Sequence, residues 1–346
     1  MASTTAARTL ACALVVLVHA NYVARAGIST WWPGGVWGAP FFALAVPVFL
    51  VLSAYAAAPA PARGGFARHA WRRARRLLPP LLFWGAALVA IGYRGRSDWL
   101  GLLADLATGP WHLYYVVVLL QFFVVAYWLE ALARPGRLAW TFASAAVLSA
   151  LVYGGGDVLL WTRGGDGGAF EYWLQKLLPT WSVFLATGVG LRRRPDLLAW
   201  LRRRSVALVL AVVPLYLGYV WEFRAEEAWL GYYPREKILG LGLPFQWAGS
   251  LLLLVLLDRA AAAPAWAPAL ARLSRASRQT YAVYLAHPPA LVVLFTLGGA
   301  AGLSMTHWAW VPLLAAGAWA LAWALWRLVG WTRWRPLEWL VFGGVA

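Results

Sequence analysis

The sequence predicts an all-α polytopic membrane protein. The chain has 346 residues, of which 62% are hydrophobic and 12% charged, a composition outside the range of ordinary soluble domains. Apolar runs long enough to cross about 30 Å of hydrocarbon, about 20 residues each, recur from end to end. We therefore expect about ten transmembrane helices forming one domain, residues 1–346. Cys12 is the one cysteine, so no internal disulfide and no cysteine metal site is expected.

The ten spans follow from this apolar pattern. In chain order they cover residues 6–24, 38–57, 78–93, 112–133, 139–154, 174–190, 206–220, 238–257, 279–298 and 306–326. Between spans two and three, arginines spaced three and four apart predict an amphipathic helix at the cytoplasmic interface. Pro79 and Pro80 then begin the third span, where a missing amide proton costs little.

The net charge of +17 is explained by topology. With both termini on one side of the membrane, most of the 30 basic residues fall on that same side. Because positive residues mark the cytoplasmic side, both termini are predicted to be cytoplasmic in a multi-pass protein of the inner or plasma membrane. Membrane lipid is the expected partner of this charge, and nucleic acid is not.

The first span carries two ionisable residues, Arg8 and His19. Such groups in hydrocarbon are costly unless they face protein or water, so they are candidate site residues. Eleven residues separate them, which places both on nearly one helix face, about 16 Å apart along the axis. A competing interpretation is a signal peptide cleaved near Ala24-Arg25-Ala26, which would remove both.

The arginines that follow the second span allow two interpretations. Clustered arginines set orientation and contact anionic lipid, and the residues alone favour this role. The other role is a phosphate clamp, since guanidinium groups match phosphate oxygens in pairs and keep their charge. The residues in question are Arg72, Arg73, Arg75 and Arg76.

Polar residues also lie in later spans. Thr280, Tyr284 and His287 share one helical face, and the prolines after His287 free carbonyl groups one turn back, so this patch should face protein or water. Structural and functional roles both stay open for His287. By contrast, Trp111 and His112 resemble an interfacial aromatic belt, and His307 resembles an interface residue.

Two early segments resemble the acyltransferase-3 family of integral membrane proteins. Arg8 and His19 are similar to the family's arginine, ten intervening residues and histidine in the first span. Residues 41–55 resemble its second-span segment, although Ala54 and Tyr55 depart from the family's ending.

Three later segments extend the resemblance over essentially the whole chain. Arg73-Ala74-Arg75-Arg76-Leu77-Leu78-Pro79 resembles the family's cytoplasmic Arg-x-x-Arg, aliphatic residue and proline. Ser277 to Pro289 resembles Ser-Tyr-x-x-Tyr-Leu-x-His-x-Pro, with Arg278-Gln279-Thr280 interposed or Thr280 replacing the serine. Trp111-His112-Leu113 is similar, less faithfully, to its Trp-Phe-Leu segment.

The resemblance implies a membrane O-acyltransferase that moves an acyl group, with acetyl expected, from cytoplasmic acyl-CoA to a hydroxyl of a cell-surface glycan or similar acceptor. It implies His19 as general base, Arg8 as a residue that orients the donor or balances charge, and no metal. Donor binding is expected at Arg73 and Arg76, then Arg72 and Arg75, and acceptor binding at His287, Tyr284 and Trp111. The acceptor and the oligomeric state are not specified.

Two other functions compete with this one. Ten helices with buried polar residues also suit a transporter or flippase of a glycan or lipid-linked substrate. Carriers commonly use intramembrane acids, however, and most carboxylates here fall in predicted external loops, with Glu130 the nearest exception. A scaffold without catalysis is the other rival, and it predicts that Arg8 and His19 tolerate substitution.

Overall fold

A computed structural model describes residues 2–25, 41–57, 65–90, 109–163, 174, 176–230, 240–305 and 309–344. The described part is helical and contains no strand. Its α-helices are α1 (Ala2–Arg25), α2 (Ala45–Ala56), α3 (Gly65–Ala90), α4 (Tyr114–Leu132), α5 (Leu138–Arg163), α6 (Ser182–Arg193), α7 (Pro195–Arg203), α8 (Ser205–Leu230), α9 (Gly242–Ala262), α10 (Ala267–Ala276), α11 (Thr280–Ala300), α12 (Trp310–Trp331) and α13 (Arg335–Phe342). The predicted all-α class is confirmed.

Each of the ten predicted spans overlaps a helix. Helical segments long and apolar enough to cross a membrane cover Ser3–Ala24, Ser205–Glu222, Gly242–Ala262, Pro264–Ala300 and Trp310–Trp331. Shorter apolar helices cover Ala45–Ala56, Tyr114–Ala126 and Leu138–Val152. A multi-pass membrane protein is thus supported, whereas the number ten stays a prediction.

The arginine-rich segment and the third predicted span form one helix. α3 runs from Gly65 to Ala90 through Pro79 and Pro80, so the expectation that these prolines begin a new helix is wrong. Pro80 deprives the Arg76 carbonyl of its helical partner. That carbonyl meets the backbone of Gly343, directly after α13, and the Trp84 indole donates to the Val341 carbonyl at 2.9 Å. The end of α13 therefore packs against α3 beside the two prolines.

Helix α1 lies at the centre of the bundle, where it contacts α2, α9, α10, α11 and α12. Small side chains let neighbouring backbones approach closely, because they leave the helix surface nearly smooth. On α1 these fully buried small residues are Ala6, Ala7, Ala11, Cys12 and Ala20. The predicted first span is thus an integral part of the fold.

Hydrogen bonds fix the register of α1 against the segment from α10 to α11. The Thr9 hydroxyl donates to the Leu273 carbonyl at 2.7 Å, and the Cys12 thiol donates to the Thr280 carbonyl at 3.4 Å. His19 and His287 meet one heptad further along, with the same sequence separation of 268 residues. Equal separations mean that α1 and α11 run parallel, as spans one and nine do in the predicted topology.

Helices α2 and α6 cross at close range. Gly188 of α6 faces the Val51 carbonyl of α2, and a methyl group on Gly188 would also lie 2.7 Å from the Ala54 side chain. This crossing holds α2 against the bundle, with Ala45 and Val46 at the edge of an internal cavity.

Candidate active site

Three histidines from separate segments meet inside the bundle. His19 comes from α1, His112 from a short 3-10 helix before α4, and His287 from α11. The ring centroids of His19 and His287 are 5.0 Å apart, those of His112 and His287 5.1 Å, and those of His19 and His112 5.9 Å. Two of the predicted site residues, His19 and His287, are thus in direct contact.

His112 is a site residue that the sequence did not reveal. Its interpretation as an interfacial belt residue is wrong, because its side chain is 2% exposed. Gly109, with φ of 78°, precedes the 3-10 turn, and a Cβ there would lie 2.7 Å from the Leu113 backbone. This tight turn, which requires glycine, directs the segment into the bundle. The aromatic residues beside His112 gave the segment the pattern of an interfacial belt, so the sequence did not indicate a buried histidine.

The hydrogen bonds of His19 and His287 define which ring nitrogen carries the proton. The Nδ1 atom of His287 lies 2.8 Å from the Tyr284 carbonyl oxygen, and that of His19 lies 2.9 Å from the Val15 carbonyl oxygen. A carbonyl oxygen only accepts, so both neutral rings carry the proton on Nδ1. The one Nδ1–H of His19 is then shared between the Val15 carbonyl and Nε2 of His287, which lies 3.0 Å away, and Nε2 of His19 holds the basic lone pair.

The prolines of α11 make this orientation of His287 possible. Pro288 has no amide proton, so the carbonyl of Tyr284, four residues earlier, lacks its usual helical donor. The His287 ring supplies that donor. The prediction that these prolines free a carbonyl for a polar patch facing protein is confirmed, since Thr280, Tyr284 and His287 are all buried.

Several hydroxyl groups lie beside the histidines in the interior of the bundle. The Tyr284 hydroxyl donates to the His112 carbonyl, and the rings of Tyr284 and Tyr115 lie 5.5 Å apart. The Tyr115 and Ser53 hydroxyls are 3.0 Å apart. A series of hydroxyl groups therefore extends from the histidines to Ser53.

Two of the three histidines, His19 and His112, border an internal cavity of about 50 Å³, large enough for a few water molecules. Its polar walls are His19, His112, Tyr114, Gln246 and Tyr284. Gln246 is a second residue that the sequence analysis missed. Gln246 lies within an apolar helix, and the general expectation that such a polar residue faces protein could have identified it.

Most residues that border the cavity lie at one end of their helices. His19 is near the end of α1, whereas Ala45, His112 and Gln246 are near the starts of α2, α4 and α9. In the predicted topology these ends are external, whereas Tyr284 is near the start of α11, a cytoplasmic end in that topology. Arg8 lies near the opposite end of α1, half-buried, and forms no ion pair within the described ranges.

The arginines of α3 differ in exposure. Arg72, Arg75 and Arg76 are exposed, whereas Arg73 is half-buried, with its guanidinium carbon 5.5 Å from the centre of the Phe123 ring on α4. Burial, and then the charges of Arg76 and Arg72, lower the pKa of Arg73. Among the residues that the structure describes, no carboxylate pairs with these four arginines.

The side chains of Trp111 and His69 lie outside the described part of the structure, as does His307. Glu130 forms ion pairs with Arg192 and Arg193 at the end of α6. Within the described ranges, no cluster of histidine, cysteine or carboxylate side chains has the arrangement of a metal site.

The structure thus defines a multi-pass helical membrane protein with a histidine-lined internal cavity. The chain belongs to the acyltransferase-3 family, because the family model described as an acyltransferase domain matches residues 2–327, nearly the whole chain. This confirms the resemblance and assigns the general class, a membrane acyltransferase. No curated protein and no solved structure matches the chain.

Proposed function

We propose that this protein transfers an acyl group, with acetyl expected, from cytoplasmic acyl-CoA to a hydroxyl group of a cell-surface glycan or a similar acceptor. The observation that carries the proposal is the hydrogen bond between His287 and His19, which borders an internal cavity. The pair supplies a base that is oriented by a second group, which is the arrangement that activates a hydroxyl for attack.

In the proposed reaction, His19 is the general base. Its Nε2 atom takes the proton of the acceptor hydroxyl while that oxygen attacks the thioester carbon. The tetrahedral intermediate then expels the CoA sulfur, which takes the same proton from the His19 imidazolium. An oxygen ester forms, a carbon–sulfur bond breaks, and the base returns to its neutral form.

His287 would orient and stabilise that base. Its Nδ1 proton is directed to the Tyr284 carbonyl, so its Nε2 atom stays an acceptor for the Nδ1–H of His19. This interaction strengthens when His19 becomes an imidazolium, because hydrogen bonds from charged donors are stronger than neutral ones. His287 is therefore a positioning residue, a different role from the acceptor contact that the resemblance implies.

The arginines of α3 are proposed to bind the phosphates of the CoA donor. Arg73 packs on Phe123 of α4, and Tyr115 lies two helical turns earlier on α4, about 12 Å along the axis. The donor would thus bind at the predicted cytoplasmic end and extend its thioester towards the histidines. Arg8, half-buried near the start of α1, would balance negative charge on the donor.

Acceptor binding is proposed at the cavity, because most of the helix ends that border it are external in the predicted topology. Tyr284 borders the cavity and donates to the His112 carbonyl, so it holds the 3-10 turn in place. Trp111, adjacent to His112 in that turn, stays a candidate for contact with the acceptor.

A transporter is less well supported by the arrangement of charges. Glu130, the carboxylate closest to a role in ion coupling, is paired with Arg192 and Arg193 at a helix end. A carboxylate held by two guanidinium groups is poorly suited to bind and release protons during a transport cycle.

The test is a transfer assay with purified protein reconstituted in lipid vesicles. With labelled acetyl-CoA and extracted surface glycans, we expect label in an ester that mild base removes. Uptake of glycan into vesicles without any acyl donor, together with no ester, would overturn the proposal in favour of transport. Unchanged transfer by the His19→Ala variant would contradict the role of the base.

A further inference from the structure

Gln246 is a buried polar residue that the proposed reaction does not use. Its side chain is 1% exposed, and its Oε1 atom has no hydrogen-bond partner within the described residues. The residue lies near the start of α9 and borders the same cavity as His19, His112 and Tyr284. A buried acceptor without a donor lowers stability, so its presence at a cavity points to a ligand that brings a donor.

The residues on both sides of Gln246 fix its direction. Phe245 packs on Tyr216 and Tyr219 of α8, with ring centroids 5.8 and 5.7 Å away. The Trp247 indole donates to the Thr187 hydroxyl of α6 at 2.9 Å. Because these two neighbours anchor α9 to different helices, the side chain between them is held towards the interior.

We infer that the Gln246 amide binds a second hydroxyl group of the acceptor, next to the one that is acylated. This inference rests on the proposed function. The cavity is small, about 50 Å³, so a ligand whose reacting hydroxyl reaches His19 also meets Gln246. A polyol such as a sugar offers a neighbouring hydroxyl as donor, whereas a simple alcohol does not. Gln246 would therefore select polyhydroxyl acceptors over acceptors with one hydroxyl.

A site built to hydrogen-bond a substrate hydroxyl discriminates against the analogue that lacks it, because the buried partner is left unpaired. The expected consequence is a difference in acceptor use and not in donor use. Gln246→Met keeps the length of the side chain but removes the amide, so it leaves the volume of the cavity wall nearly unchanged.

The experiment uses the purified full-length protein in lipid vesicles with labelled acetyl-CoA. The acceptor probes are a methyl hexoside and its deoxy analogues, each lacking one hydroxyl. For the wild type, we expect one deoxy analogue to lose about 10- to 100-fold in kcat/KM. Gln246→Met should raise the KM for the parent hexoside by a similar factor and leave the KM for acetyl-CoA unchanged. The variant should no longer discriminate between the parent hexoside and that deoxy analogue.

Ser250→Ala is the matched control. Ser250 is one turn along α9, buried, and its hydroxyl donates to the Gln246 backbone carbonyl at 2.6 Å without bordering the cavity. The variant should keep the wild-type KM values and discrimination. Equal losses towards donor and acceptor in Gln246→Met would indicate a structural role and overturn the inference.

The comparison of acceptors with wild-type protein distinguishes a failure of the Gln246 role from a failure of the proposed function, even if a variant folds poorly. Ester formation on extracted glycans with no preference among the hexoside probes overturns the role of Gln246 alone. Absence of any ester product from wild-type protein overturns both that role and the proposed function.

Discussion

Nε2 of His287 lies 3.0 Å from Nδ1 of His19, although 268 residues separate the two histidines in the chain. Both rings also face a carbonyl oxygen through Nδ1, so with both neutral rings protonated on Nδ1 the His19 proton is shared between the Val15 carbonyl and Nε2 of His287. The lone pair of His19 is thereby assigned to Nε2. The predictions below test this pair, the helices that hold it and the proposed donor site.

Replacing His19 should remove the base while preserving the fold. We expect His19→Gln to lower kcat for acetyl transfer by about 10²- to 10⁴-fold, the usual contribution of a general base. The KM for acetyl-CoA should stay near its wild-type value, because the arginines of α3 are intact. Cys12→Ser is the control: Cys12 lies two turns earlier on α1, is fully buried and has no role in the proposed reaction, and a serine hydroxyl keeps the donor to the Thr280 carbonyl.

The role of His287 can be separated from a merely structural one by comparing two substitutions. The Oε1 atom of a glutamine can take the position of the histidine Nε2 acceptor, whereas a leucine fills similar space without any acceptor. His287→Gln should therefore keep more of kcat than His287→Leu, with the KM for acetyl-CoA alike in both. Equal loss of kcat in the two variants would show that His287 only fills the core.

The donor site should depend on the arginines of α3. Arg73→Ala and Arg76→Ala are each expected to weaken acetyl-CoA binding by about tenfold or more, because each loses a charge-assisted hydrogen bond to phosphate. The measurement is titration of acetyl-CoA into purified protein at constant ionic strength. Arg272→Ala, an exposed arginine on α10, should leave the affinity unchanged. A similar loss in all three variants would indicate a general charge effect.

The crossing of α2 and α6 should be sensitive to one methyl group. Gly188→Ala would place a Cβ against the Val51 carbonyl and 2.7 Å from the Ala54 side chain, so we expect destabilisation of about 1–3 kcal/mol from overpacking. Gly190→Ala, on the same helix, would meet only a Leu138 methyl group at 3.6 Å and should be tolerated. Thermal unfolding in detergent, followed by circular dichroism, distinguishes the two.

The end of α13 should influence the arginine helix. Gly343 has φ of 66° and faces the Arg76 carbonyl, so Gly343→Ala combines backbone strain of about 1–2 kcal/mol with a direct steric conflict. We expect weaker packing of α13 on α3 and reduced affinity for acetyl-CoA. Gly330→Ala would meet no atom within 4 Å and serves as control. Wild-type affinity in Gly343→Ala would mean that α13 does not support the donor site.

The class of protein was predictable because it depends on local properties. Apolar runs and helical periodicity are read along the chain, so the all-α membrane class and the shared face of Arg8 and His19 followed from spacing. The carbonyl freed by Pro288 was likewise predictable, since a missing amide proton has its effect four residues earlier. Arginine spacing indicated an amphipathic segment but not that α3 continues through Pro79 and Pro80.

Sequence alone therefore determined the family and the membrane character, and it identified Arg8 and His19 of the first span as candidate site residues. Only the tertiary structure placed His112 beside His287 and Gln246 at the same cavity. These contacts join segments that are far apart in the chain, and they depend on how helices cross and which turns direct a residue inward. An aromatic segment such as Trp111-His112-Leu113 has the same local pattern whether it faces lipid or protein, and packing decides between them.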